Sequence, residues 1–297
     1  MDNIISYNEI FMALCLSMLI YNYNKNSNFI LYKGEPIIDL YNKINNTYDI
    51  YQRESLFYIM KVYPYGKIIK FIDNKVTDIQ CCIIINNSTN SIVIVFRGTD
   101  TIRDSIFDCL CCKTILHNNI YIHCGFYNQL QSIYKQILKI INNYLNIDYK
   151  IYITGHSLGG AHSQILSFLL SSKTSNLIKV ITFGSPKVGN KNWSYIYDAL
   201  PNVIHYRITN SKDIITTVPY FNYYHTGINI HLTKNNIYYD YSNTNYFYSI
   251  CDHFITSYYD NLYGKHDLYH DLLNTFIVDS DNMSESNESD IESTSII

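Results

Sequence analysis

Residues 149–160 read Tyr-Lys-Ile-Tyr-Ile-Thr-Gly-His-Ser-Leu-Gly-Gly. The β-branched and aromatic run from Tyr149 to Thr154 predicts a strand, and a helical pattern from Ala161 to Leu170 follows at once. Gly155-His156-Ser157-Leu158-Gly159 therefore has to turn a strand sharply into a helix, with Ser157 at the apex. Such an apex forces unfavourable backbone angles, and it leaves no room for side chains on either flank. Gly155 and Gly159 meet that demand. The turn would hold the Ser157 hydroxyl clear of the sheet and aim the Leu158 N–H at an oxyanion forming beside it. The residue types and their order fit an activated nucleophile better than a plain strand–helix connection.

A serine hydroxyl is a poor nucleophile by itself. It needs a base, an acid to orient that base, and a second oxyanion donor. The strand Ile92–Phe96 ends in Arg97-Gly98-Thr99, which offers a backbone donor, and Asp213 follows a strand at Val203–Ile208, where a carboxylate can reach an imidazole at the sheet edge. The base is open among the chain's 10 histidines, and His253, His266 and His270 follow Asp213 late in the chain.

Six stretches carry a family resemblance when taken in order: Phe96-Arg97-Gly98-Thr99, Ile122-His123-Cys124-Gly125-Phe126, Gly155 to Gly160, Thr182 to Asn190, Arg207 to Asp213, and Asp252-His253. Between about residues 8 and 262 the chain resembles the fungal-type (class 3) triacylglycerol lipases, α/β-hydrolases with a mostly parallel central sheet flanked by helices. The resemblance implies a Ser157–Asp213–His253 triad. It also implies an oxyanion hole made by the N–H groups of Thr99 and Leu158. His253 is favoured because Asp252 precedes it and Tyr258 follows. His156, His123 and His225 fall at structural positions, and Arg97 buttresses the oxyanion loop. Two departures stand out. Thr216 occupies the place of a usual proline, with Pro219 later, and in the segment 101–113 Ser105 and Cys109 replace a usual Trp and Leu. That segment carries Ile102, Ile106, Cys109 and Leu110 on one helical face, as a movable lid or a fixed surface helix would.

Bulk properties narrow the partners. A net charge of −3 speaks against nucleic acid, and the six acids between Asp279 and Glu292 account for more than all of it. A folded domain over 1–278 with a disordered acidic tail over 279–297 is expected. The Asn, Ile, Lys and Tyr excess, with 31 Tyr, is that of an AT-rich coding sequence. The 8 cysteines lack zinc-site spacing, and neighbours such as Cys81-Cys82 would point to opposite faces of a strand. Free thiols and a soluble cytoplasmic protein are expected, with secretion as the alternative. The apolar run Ile10–Tyr21 reads as a first helix, because no basic residue precedes it and no cleavage site follows. Further strands are expected at Lys67–Asp73, Ile79–Asn86, Ser91–Arg97 and Lys179–Phe183, with a hairpin over Gly227–Leu232 and Ile237–Tyr241. Helices are expected over 127–144, 253–262 and 266–277. No metal or organic cofactor is implied. The expected chemistry is hydrolysis of a lipid or other carboxyl ester, at a membrane or droplet surface if the substrate is lipid. A phospholipase A1 or small-ester esterase would use the same triad, an acyltransferase would replace water with an alcohol, and a catalytically silent scaffold is the non-enzyme rival.

Overall fold

The fold is that of a computed structural model describing residues 5–22, 49–63, 65–99, 113–117, 119–145, 147–239 and 248–270. Segment 101–112 of the expected lid and the acidic tail lie outside these residues. Lys113, the last residue of that lid segment, instead opens a strand.

Among the described residues ten strands form: β1 (Lys67–Asn74), β2 (Ile79–Asn86), β3 (Ser91–Phe96), β4 (Lys113–His117), β5 (Ile120–His123), β6 (Lys150–His156), β7 (Ile178–Phe183), β8 (Val203–Asn210), β9 (Ile228–Leu232) and β10 (Ile237–Tyr239). Eight of them make one sheet in the order β1-β2-β3-β6-β7-β8-β9-β10, and β4 with β5 makes a separate antiparallel pair. The five central strands from β3 to β9 run parallel, and antiparallel strands close both edges. Their Ile- and Val-rich sequences suit burial on both faces, which is what helices on both sides of a parallel sheet impose.

Side-chain alternation divides the interior in two. On β2, Cys82 and Ile84 face one layer while Cys81, Ile83 and Ile85 face the other. The first layer is covered by α1 (Tyr7–Leu19), α2 (Ile50–Val62) and α6 (Ile255–Leu262). The second is covered by α3 (Cys124–Ile141), α4 (Leu158–Ser171) and α5 (Lys191–Asp198). In α3, Leu130, Ile133, Ile137 and Ile141 form the buried stripe that the helical spacing predicts. By contrast α1 is buried on nearly every side from Tyr7 to Met18, so its apolar residues show little periodicity.

Capping side chains set where the helices start. Ser6 and Glu9 form a reciprocal capping box at α1, Asp49 and Gln52 do the same at α2, and Asn190 accepts from the Trp193 N–H at α5. Glu9 also receives Tyr152 from β6 and Lys179 from β7, both at 2.8 Å. Against the upward push of burial, the Lys179 ammonium and the Ser6 N–H hold the Glu9 carboxyl below its usual range. Cys15, Cys81, Cys82, Cys124 and Cys251 are free thiols. Among the described residues, no helix is long and apolar enough to cross a membrane.

Four of the buried histidines are His156, His162, His205 and His231. Burial lowers their affinity for protons: His162 and His205 fall to about 3, His231 to about 4, and His156 well below its ordinary 6.5. Above pH 6.5 these rings are neutral in both folded and unfolded chains, so they carry no pH-dependent cost. As pH falls through 6.5, the unfolded chain takes up protons that the fold refuses. Each ring then costs up to about 1.4 kcal/mol per pH unit. The urea midpoint is therefore expected to be flat between pH 8 and 7 and to fall steeply from pH 6.5 to 5. A midpoint that stays level to pH 5 would contradict neutral burial of these rings.

Candidate active site

β3 and β6 run parallel with Phe96 opposite Gly155, which brings the Arg97-Gly98-Thr99 loop beside the turn that follows β6. At that turn Ser157 has φ 58° and ψ −127°, a left-handed conformation that side chains disfavour. The turn is tight because its glycines touch neighbours that a side chain would strike. A Cβ at Gly155 would lie 2.5 Å from the Gly159 carbonyl, and one at Gly159 would collide with the carbonyl of Phe96. The Ser157 N–H is tied to the Phe183 carbonyl of β7 at 2.9 Å. Leu158 is the first residue of α4, where backbone N–H groups have no partner within the helix. Gly98 approaches from the other side, its ideal Cβ lying only 3.1 Å from Ser157 Cβ and 2.6 Å from the His156 carbonyl. Thr99 is the next residue.

His253 closes the 3-10 turn Cys251–His253 ahead of α6, so it lies just before the helix the sequence assigns it to. Its Nε2 lies 2.9 Å from Ser157 Oγ, and its Nδ1 lies 2.8 and 3.0 Å from the two Asp213 oxygens. The carboxylate at Nδ1 demands a proton there. Nε2 is then left as the acceptor facing the serine hydroxyl. All three residues are at most 3 % exposed.

Asp213 is saturated with donors. The Tyr258 hydroxyl donates to Oδ2 at 2.6 Å, and the Ile215 N–H donates to Oδ1 at 2.8 Å. Burial and the Asp213 charge together push the Tyr258 hydroxyl well above its ordinary value, which keeps it a donor. Asp252 ties the loops together from outside: Lys212 N–H donates to its carboxylate at 3.0 Å, and Asn210 Nδ2 donates to its carbonyl at 2.9 Å.

Two contributions escape sequence reading. Gly184, at φ 58°, leaves the space in which Asp213 and His253 meet, since its Cβ would lie 2.8 Å from Asp213 Oδ2 and 3.0 Å from the His253 ring. The only sequence signal is its place within the Thr182–Asn190 stretch. The second is Tyr21, just past α1. Its hydroxyl lies 2.8 Å from His156 Nδ1, and His156 Nε2 donates to the His253 carbonyl at 2.7 Å. Because a carbonyl only accepts, His156 carries its proton on Nε2, and its Nδ1 accepts a hydrogen bond from the Tyr21 hydroxyl. The His156 and His253 rings lie 4.6 Å apart and 31° from parallel. The Arg97 guanidinium lies 5.7 Å from the Tyr21 ring.

The other histidines do other work. His123 Nδ1 caps α3, and His225 Nε2 donates to the Thr216 carbonyl at 2.6 Å. His266, half-exposed, packs edge-on against Tyr7 at the far end of α1, with His270 beside it. Among the described residues no group of His, Cys, Asp and Glu is arranged to hold a metal ion.

Residues 93–223 match the family model of class 3 lipases. The lipase of Rhizopus niveus is 27% identical over 180 residues, 56% of this chain and 44% of its own length. The secreted mono- and diacylglycerol lipase A of Penicillium cyclopium is 26% identical over 157 residues, 50% of each chain. The chain thus spans about half the length of the curated relatives it matches. A solved triacylglycerol lipase, whose catalytic centre is formed by a serine protease triad, shares the fold at a TM-score of 0.66. It is 22% identical and covers 83% of this chain and 92% of its own. With an α/β-hydrolase sheet shared with that structure, residues 93–223 of this chain, across the elbow and the loop that carries Asp213, are similar to the class 3 lipases.

Proposed function

We propose that this protein is a serine carboxyl ester hydrolase acting on lipid esters, with Ser157 as nucleophile, His253 as base and Asp213 as orienting acid. The observation that carries the reading is the unbroken hydrogen-bonded row from Ser157 Oγ through the His253 ring to Asp213, at the apex of a strained turn. In this reading His253 Nε2 takes the Ser157 proton as Oγ attacks the ester carbonyl. The N–H groups of Leu158 and Thr99 hold the oxyanion. His253 then gives the proton to the departing alkoxide, and water releases the acyl group by the same steps in reverse.

The surroundings favour this proton traffic. When His253 becomes an imidazolium, the Asp213 carboxylate offsets its charge, and Tyr258 keeps that carboxylate aimed. The adjacent His156 ring stays neutral, so no second positive charge opposes the step. The lipase relatives support a lipid ester as substrate, and a membrane or droplet surface is the place such a substrate presents itself. Tyr220 and Phe221, 54% and 90% exposed in the chain just after the acid loop, suit contact with such a surface.

Three outcomes are expected. Hydrolysis across a p-nitrophenyl ester chain-length series should fall by about 10⁴-fold or more in Ser157→Ala and His253→Ala, and by about 10⁴ in Asp213→Asn. The preferred length separates lipase from small-ester esterase. A folded protein that cleaves no ester, even with detergent or lipid present, would overturn the reading. Tyr258→Phe should lower kcat roughly tenfold with KM nearly unchanged, from the loss of one hydrogen bond to a charged group. Gly184→Ala should cost more than the ~1 kcal/mol usual for Ala at positive φ, and should abolish the far-downfield proton resonance expected of the His253–Asp213 bond. An unchanged resonance would show that the pair tolerates a side chain there.

A further inference from the structure

Consecutive residues at the end of β7 touch both halves of the site. The Phe183 carbonyl accepts the Ser157 N–H at 2.9 Å. Gly184 leaves the space in which Asp213 and His253 meet. Ser185 packs on the first turn of α4, where a Cβ on Gly160 would lie 2.6 Å from Ser185 Cβ. The placement of this segment therefore sets how the serine turn and the acid–base pair approach each other. Behind it runs a row of buried polar side chains from Thr182, His205, Thr226, Gln164 and Ser185. Gln164, two turns along α4 from Ser157, lies at its centre. Its Nε2 donates to Ser185 Oγ at 2.8 Å, and its Oε1 accepts from the Thr226 hydroxyl at 2.9 Å. That hydroxyl has a single proton, spent on Gln164, so His205 Nδ1 donates to Thr226 Oγ1 across 3.0 Å. Burial keeps the His205 ring neutral, so its Nε2 accepts from the Thr182 hydroxyl at 2.9 Å. Ser185 Oγ in turn donates to the Pro186 carbonyl at 3.1 Å. Each link has one permitted direction. A leucine would fill the place of Gln164 with no such demand, whereas a buried amide is costly unless its partners are kept. What the row supplies in return is a single arrangement of the Ser185 hydroxyl against α4.

We propose that Gln164, held by Thr226 and His205, is a positioning residue for ester hydrolysis. It touches no reacting atom and acts through Ser185. By keeping residues 183–185 pressed against the start of α4, it holds Ser157 Oγ within reach of His253 Nε2 and Gly184 clear of the Asp213–His253 contact. A misplacement of about 1 Å at a reacting group costs on the order of 10²-fold in rate, so a partial shift of this segment should cost about tenfold. The inference deepens the hydrolase reading and rests on it. Ser167 offers the internal comparison. One turn further along α4, its buried hydroxyl donates to the Gln164 carbonyl at 2.8 Å and accepts from Tyr197 of α5 at 2.7 Å. It ties α4 to α5 rather than to the end of β7.

The test sets Gln164→Leu and Thr226→Val, singly and together, beside Thr226→Ser and Ser167→Ala in the full chain. Each single loss should lower kcat for a p-nitrophenyl ester about tenfold with KM nearly unchanged, and the double variant should fall little further. The far-downfield proton resonance expected of the His253–Asp213 bond should shift or broaden in the same variants. Thr226→Ser keeps the hydroxyl and should stay within about twofold of the wild type. Ser167→Ala should lower the unfolding midpoint by a few degrees while leaving kcat and the resonance in place. Thr226→Val preserves shape and carries the test should Gln164→Leu fail to fold. Wild-type kcat and resonance in folded Thr226→Val would overturn the proposal, as would an equal loss of kcat in Ser167→Ala. A wild type that cleaves no ester would instead sink the hydrolase reading. The resonance then decides alone, and its persistence unchanged in Thr226→Val would show that the row does not position the pair.

Discussion

The left-handed backbone at Ser157 is the constraint on which the site depends. Such a residue is tolerated only where its surroundings over-determine it. Here β6 arrives hydrogen-bonded between β3 and β7, α4 leaves at once, and Gly155 and Gly159 let the turn close against the Phe96 carbonyl. The same closeness fixes the loop at Gly98. The elbow and the strand end beside it are thus one packed unit, and a side chain at either glycine would push Ser157 and its facing loop apart together.

Around this unit the polar groups sort by charge state. Asp213 is surrounded by donors: the His253 ring, the Tyr258 hydroxyl and the Ile215 N–H. His156 is the opposite case, fully buried with a donor at one nitrogen and an acceptor at the other, which suits only the neutral ring. His156 is thereby held neutral beside the His253 ring. The environment makes the difference between two residues of the same type.

Much of this was legible in the sequence. The strand–Gly-x-Ser-x-Gly–helix unit, the parallel central strands and the α3 stripe follow from patterns that burial imposes directly. Other elements left weak traces. In α2, Ile50 and Phe57 are apolar yet exposed, which blurs the amphipathic pattern, and α5 is only 8 residues long. Choosing His253 among late histidines required the family resemblance, because no local spacing separates it from His266. Tyr21 and Gly184 were invisible as contributors. Tyr21 acts on a residue 135 positions away, and the need for glycine at 184 arises only after Asp213 and His253 have come together.

The first helix has a further consequence. Its beginning is locked by Glu9, whose carboxylate is shared among its own cap, Tyr152 and Lys179, while Tyr21 at its far end reaches His156 and lies against Gly98. Twelve helical residues span roughly 18 Å, and each additional one would turn the far end by about 100°. The segment from Glu9 to Tyr21 therefore behaves as a gauge of fixed length and phase. Sequence drift can change its apolar residues freely, provided volume is kept, but an insertion or deletion within it would swing the tyrosine away from the imidazole it steadies.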